Sequence, residues 1–149
     1  METATYGMGC FWKPEEIFRK VKGVKETSVG YMGGNEKKFP YPTYKQVCWR
    51  NTGYVEVVQV KFNRKIIPYK KLLEVFWKNH NPTTKNRQGW DIGSQYRSII
   101  FYHNEKQKKD ARESKKEAQK LYDNKIVTEI KKAKTYYKAE DYHQRYLQK

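Results

Sequence analysis

Cys10 is the residue of this chain with the most chemical promise. It follows Gly9 and precedes Phe11-Trp12 and then Pro14-Glu15-Glu16. That order reads as a helix start, because proline is tolerated in a first turn and acids there meet the positive end of the helix dipole. A sulfur at such a junction lies near free backbone N–H groups, which predicts a lowered thiol pKa and a better nucleophile. Lys13 adds a nearby positive charge, and Phe11 and Trp12 place an apolar surface beside the sulfur. The competing reading is a buried structural cysteine, and the local pattern leaves both open.

Glu56 is the second candidate. In a strand over 54–62, Glu56, Val58, Val60 and Phe62 share one face, so a carboxylate begins an otherwise apolar stripe. Burial would raise its pKa and make it a general acid; a strand-end glutamate reaching water is the alternative. The segment from His80-Asn81-Pro82-Thr83 to Gly89-Trp90-Asp91-Ile92-Gly93 is a long loop of the kind that often carries function, with Asp91 either functional or an ordinary turn residue. Tyr44, Tyr96 and the cluster Tyr136, Tyr137, Tyr142 and Tyr146 are equally open between site and packing. His80, His103 and His143 lack metal-ligand spacing, although Asp141 and His143 could complete a Cys-His-Asp system with Cys10.

These groups must be positioned by a regular framework. Residues 3–9 read as a strand leading into Gly9-Cys10, followed by a helix with Ile17, Phe18 and Val21 on one side and Gly23 at its end. Residues 25–31 look extended, Gly33-Gly34 make a turn, and 42–49 form one or two helical turns. Pro68 to His80 has helical spacing at Leu72, Leu73, Phe76 and Trp77. Tyr96 to Tyr102 is a β-rich strand. Asn104, with Gln107 three residues on, caps a long charged helix. A last strand is expected at 126–130 and a last helical segment at 139–147. The fold class is therefore α+β: one domain, 1–149, with an α/β sandwich around a mixed, ferredoxin-like sheet.

The 149 residues suffice for a buried core without disulfide or metal staples. No apolar run is long enough to cross a membrane. The N-terminus lacks a basic region followed by an apolar stretch, so a cytoplasmic location is expected. Two cysteines form neither a disulfide scaffold nor a zinc site. The net charge of +16 raises affinity for any polyanion. In 104–125, however, Glu105, Asp110, Glu113, Glu117 and Asp123 interleave with the lysines as on a solvated face. No zinc-finger, RRM or phosphate-loop pattern appears, so specific nucleic-acid binding is not expected.

Several blocks together carry a resemblance. Gly9-Cys10-Phe11-Trp12 with Glu15, Gly30-Tyr31-Met32-Gly33-Gly34, and Pro42-Thr43-Tyr44 to Val47-Cys48 followed by Thr52-Gly53 and Glu56 are the first three. Phe76-Trp77 with His80-Asn81-Pro82-Thr83 comes next, then Arg87-Gln88-Gly89, Asp91, Gly93 and Gln95-Tyr96-Arg97-Ser98. Ala139-Glu140-Asp141-Tyr142-His143-Gln144 with Tyr146-Leu147 completes the set. In order and over nearly the whole chain, they resemble the signature of the peptide methionine sulfoxide reductase A family. The resemblance implies that Cys10 attacks the sulfoxide sulfur and that Glu56 protonates the departing oxygen. It implies that Tyr44 and Tyr96 hydrogen-bond that oxygen, that Asp91 holds the polar side of the site, and that Phe11 and Trp12 hold the substrate methyl group. Cys10 would pass through a sulfenic acid, and the S epimer would be the substrate, free or in proteins. No metal or organic cofactor is implied; the reductant is an external thiol such as thioredoxin, and a monomer is expected.

The chain departs from the family pattern at Tyr54, in place of a histidine, at Trp49 and Arg50, in place of small residues, at Lys13, in place of glycine, and at Asn81, where aspartate is common. None removes an implied catalytic group. The chain shows no C-terminal cysteines of the kind many members use for recycling. If 42–49 is helical, Tyr44 and Cys48 lie four apart on one face, which allows Cys48 either near the site or a turn away in the core; the resemblance gives it no resolving role, and it is expected to be structural. Two rival readings predict other behaviour: a nucleic-acid module, salt-sensitive binding without sulfoxide turnover; a Cys-His hydrolase, ester or amide cleavage.

Overall fold

Strand β1 (Glu2–Met8) lies inside a six-stranded sheet in the computed structural model, which describes residues 1–149. Its partners are β2 (Val24–Met32), β3 (Val55–Phe62), β6 (Ser98–Tyr102), β7 (Glu129–Lys132) and β8 (Tyr137–Lys138), in the order β7-β6-β1-β3-β2-β8. β7 runs parallel to β6 and every other pairing is antiparallel, so the sheet is mixed. The inner order β6-β1-β3-β2, with helix α1 (Trp12–Arg19) between β1 and β2 and helix α3 (Tyr69–Lys78) between β3 and β6, is the split βαβ arrangement of ferredoxin-like folds. The expected α+β class is the one observed.

Alternation along the strands decides what each face packs. Ala4, Tyr6 and Met8 of β1 and Val58, Val60 and Phe62 of β3 meet Phe18 of α1, Leu72, Leu73, Phe76 and Trp77 of α3, and Ala111 and Ala118 of helix α4 (Glu105–Gln119). The other face buries Met32, Val55, Val57, Ile99 and Phe101 under Ala133 and Tyr136. Trp77 Nε1 donates to Ser114 Oγ at 2.6 Å and ties α3 to α4. The cap at Asn104 is present, with Gln107 N donating to Asn104 Oδ1 at 2.9 Å. No helix is long and apolar enough to cross a membrane.

Three expectations need correction. The loop 81–94 contains a small hairpin, β4 (Arg87–Gln88) and β5 (Asp91–Ile92), which two-residue strands do not announce by periodicity. The last strand begins at Glu129 rather than 126: Ile126 is buried and Val127 N bonds Pro82 O at 2.8 Å, so this stretch is fixed before it reaches the sheet. The segment 139–147 forms two 3-10 turns, Asp141–His143 and Tyr146–Gln148, because its side chains bond to other elements instead of repeating along a helix. Strand β8 was not expected at all.

Candidate active site

Cys10 stands where β1 ends and α1 begins. Gly9 makes the turn at φ +92°, a conformation that favours glycine, and a Cβ there would come within 2.8 Å of the Gln88 side chain. The hairpin that carries Asp91 thus packs directly against the turn that carries Cys10. Gln88 is itself fixed, its Oε1 accepting from Asn81 N at 3.0 Å and its Nε2 donating to Asn81 O.

The thiol does not have the lowered pKa expected of a helix start. It is pushed up to about 12, first by burial, with the charges of Glu56, Asp91 and Cys48 adding to the rise. The Trp12 backbone N–H does pull it down, as a helix terminus should, but by less. Lys13 is exposed and is not among the groups that act on the sulfur. A half-buried sulfur facing carboxyl groups is therefore a neutral thiol at rest.

Glu56 begins the inner stripe of β3 and is only 1% exposed. Its Oε1 accepts from the Phe11 backbone N–H at 3.3 Å, and its Oε2 is buried without a hydrogen-bond partner. Burial pushes its pKa up to about 8; the Phe11 N–H opposes the shift and the Asp91 charge reinforces it. A carboxyl so placed keeps its proton at neutral pH and has one oxygen uncommitted. Asp91 itself is exposed.

Tyr44 opens helix α2 (Tyr44–Trp49), whose start is set by a reciprocal cap: Gln46 N donates to Thr43 Oγ1 and Thr43 N to Gln46 Oε1, each at 3.1 Å. Such a cap is worth about 1 kcal/mol. Tyr96 lies in a 3-10 turn just before β6. Arg97 fastens that turn, donating to Ser94 O at 2.9 Å and to Gly53 O at 3.1 Å. Both phenols are raised above their ordinary pKa, first by burial and also by the Glu56 charge, so each is a neutral O–H donor. Both phenols act on the Cys48 sulfur, pulling its pKa down against the larger effect of burial. Cys48 is half-buried and within reach of these two phenols, the nearer of the two places that the helical spacing left open. Its i, i+4 spacing from Tyr44 on α2 brings it there. Its pKa is nonetheless raised, by burial above all.

The apolar wall is aromatic. Phe11 is buried, with its ring 5.8 Å from that of Tyr31 and 6.5 Å from that of Tyr44. Trp12 stacks on Tyr146 at 3.8 Å. Behind this wall lies a set of polar residues whose roles no sequence argument supplied. Glu140 accepts from Tyr31 Oη and from Tyr44 N, both at 3.0 Å, and so joins the C-terminal segment to α2. Buried Glu15 accepts from Thr27 Oγ1 at 3.0 Å and Arg145 N at 2.7 Å. Gln144 exchanges hydrogen bonds with both backbone groups of Val29 at 2.9 Å. The motif blocks contain these residues, but only the fold shows that they clamp the tail. The Cys-His-Asp alternative is not built: His143 Nδ1 accepts from Trp12 Nε1 at 3.0 Å, its Nε2 is unpartnered, and Asp141 is exposed. His80, lowered to about 4 by burial, is neutral and bridges Phe76 O and Ser98 Oγ, each at 2.7 Å, as a packing histidine.

Comparison with known proteins gives the family and the fold. The sequence pattern of the family described as peptide methionine sulfoxide reductase matches residues 2–149. The peptide methionine sulfoxide reductase MsrA of Methanosarcina acetivorans is 57% identical over 151 residues, covering 100% of this chain and 79% of that protein. The crystal structure of Mxr1 from Saccharomyces cerevisiae in reduced form superposes with a TM-score of 0.94 at 41% identity, covering 99% of this chain and 84% of that one. The structure of Mxr1 in complex with Trx2 matches with a TM-score of 0.68 at 28% identity, covering 97% and 84%.

Proposed function

We propose that this chain, which belongs to the peptide methionine sulfoxide reductase family and reduces oxidised methionine, does so with Cys10 as nucleophile and Glu56 as proton donor. The observation that carries the assignment is the buried Glu56 carboxyl, protonated up to about pH 8 and hydrogen-bonded to the residue after Cys10. The sulfoxide methyl group sits against Phe11 and Trp12. The sulfoxide oxygen takes the uncommitted oxygen of Glu56 and the hydroxyls of Tyr44 and Tyr96. Burial keeps Glu56 protonated, and the Asp91 charge adds to that effect from the polar side of the site.

Proton donation to the oxygen makes the sulfur electrophilic, and Cys10 attacks it. The thiol proton replaces the one that Glu56 gave up, so the carboxyl is neutral before and after. The sulfur–oxygen bond of the substrate breaks as oxygen passes to Cys10, leaving methionine and a Cys10 sulfenic acid. One external thiol then displaces water to give a mixed disulfide, and a second thiol releases Cys10 and leaves as the disulfide. Thioredoxin is the reductant of choice, a reading supported by the Trx2 complex of the yeast relative. The cycle uses thiols, a carboxyl and phenols, and needs neither metal nor organic cofactor. A reducing cytoplasm suits it.

The site is chiral. Fixing the methyl on Phe11 and Trp12 and the oxygen on Glu56, Tyr44 and Tyr96 lets one epimer present its sulfur to Cys10, and the S sulfoxide is assigned as that epimer. The test is methionine formation from enantiopure sulfoxides with dithiothreitol: S is turned over and R is nearly inert. Equal rates on both epimers refute the assignment.

A further inference from the structure

We propose that the groove between α4 and the free edge of β7 binds an acidic, extended segment of the oxidised protein substrate, beside the site that reduces its methionine. The proposal rests on the reductase reading above.

The groove has a volume of about 1110 Å³, and seven of its fourteen lining residues are Lys or Arg against one acid, Glu129. Glu129 is already answered by Arg97 at 3.2 Å and Lys131 at 3.3 Å. The remaining cations, Lys85, Arg112, Lys115, Lys116 and Lys125, make no ion pair. Outside the groove, Lys108 pairs with Glu105 on α4, and Lys120, which follows the helix, pairs with Glu117. The groove face repeats Arg112, Lys115, Lys116 and Gln119 at helical spacing with no acid among them. Five cations without an ion pair thus line one groove whose single acid is already paired, and such a groove attracts an anion.

Two features favour a peptide over a nucleic acid. The groove is bounded by Glu129, Ile130 and Lys131 of β7, the outermost strand, whose free edge can pair with an extended chain. No aromatic residue lines it, so it offers bases nothing to stack on. Lysines on an edge strand repel a second copy of the same edge but attract an acidic strand. The groove also adjoins the chemistry: Arg97 follows Tyr96 directly, and Asn86 begins the hairpin that carries Asp91.

The test compares two peptides, each with one methionine S-sulfoxide, flanked by glutamates in one and glutamines in the other. At low salt the glutamate peptide should have a kcat/KM higher by about tenfold or more, and added salt should erase the difference. The variant R112E/K116E/K125E, all at exposed positions, should lose that advantage and keep the wild-type rate on dimethyl sulfoxide. Equal kcat/KM for the two peptides, or an equal loss on peptide and dimethyl sulfoxide, overturns the proposal. Fluorescence anisotropy with the unoxidised peptides reads binding without turnover. If no sulfoxide is reduced, the reductase reading fails, while charge-reversal-sensitive binding of the glutamate peptide still supports the groove. A single-stranded oligonucleotide that binds there when the glutamate peptide does not overturns the proposal in favour of nucleic acid.

Discussion

The Phe11 backbone N–H donates to Glu56 Oε1 at 3.3 Å, fastening the buried carboxyl to the residue that follows Cys10. Nucleophile and acid are thus held by one short connection from two strands, β1 and β3, that pair in the sheet. Glu56→Gln keeps the shape and removes the proton. The single-turnover rate should fall by about 100-fold or more, the scale of a lost general acid. In the unmodified protein the rate should fall as pH rises through about 8, where Glu56 loses its proton, and the glutamine variant should lack this limb. Rapid-quench measurement of methionine across pH checks both; a variant with unmodified rates at every pH would remove Glu56 from the chemistry.

Glu56 also makes the fold pH-sensitive. Its folded pKa, about 8, lies above the ordinary 4.5. Between those values the unfolded chain releases a proton that the folded chain retains. Stability therefore falls as pH rises from about 4 to about 8. Glu56→Gln abolishes this contribution, so its Tm relative to the unmodified protein should be higher at pH 8 than at pH 5, by a free energy on the order of a few kcal/mol. Thermal unfolding of both proteins at the two pH values tests this, and an unchanged offset contradicts it.

The resting Cys10 thiol, raised to about 12, should be sluggish toward iodoacetamide. At pH 8 its alkylation should be slower than that of free cysteine by about 100-fold or more, following its smaller thiolate fraction. Peptide mapping over time reads the rate. Alkylation faster than free cysteine would mean that the helix terminus, and not burial, controls the sulfur.

Cys48 lies beside the hydroxyls of Tyr44 and Tyr96, yet burial keeps it a neutral thiol and a slow nucleophile. Cys48→Ser should retain most turnover with thioredoxin. With stoichiometric substrate and no reductant, the unmodified protein should hold a sulfenic acid on Cys10 that dimedone traps. A Cys10–Cys48 disulfide, with turnover lost in Cys48→Ser, would make Cys48 the resolving residue.

Much of the fold was legible where the physical signal is local and repeated. The alternation over 54–62, the spacing of Leu72, Leu73, Phe76 and Trp77, and the Asn104 cap each appear in place. The same alternation marked Glu56 as a carboxyl at the head of an apolar face but left open whether it is buried or reaches water; the resemblance, not the period, pointed to the acid. The charge state of Cys10 was not legible, because sequence displays the helix terminus but not the burial and the distant carboxyls that outweigh it. The place of Cys48 was legible only as a choice of two, because sequence puts it on the face of Tyr44 without saying which way that face of α2 turns. Glu140, Gln144 and Glu15 act across 96 or more residues in several of their bonds, and no local pattern encodes such partners. The hairpin under Asp91 was too short to show a period.

The most direct test is a single turnover without reductant, comparing the unmodified protein with Cys10→Ser on an enantiopure methionine S-sulfoxide peptide. The hydroxyl is a far weaker nucleophile than the sulfur. The unmodified protein should form methionine in stoichiometric amount and gain one oxygen on Cys10, read by mass spectrometry. Cys10→Ser, with an unchanged circular dichroism spectrum, should form none. Appreciable methionine from the folded serine variant, or oxygen found on Cys48 and not on Cys10, would contradict the account.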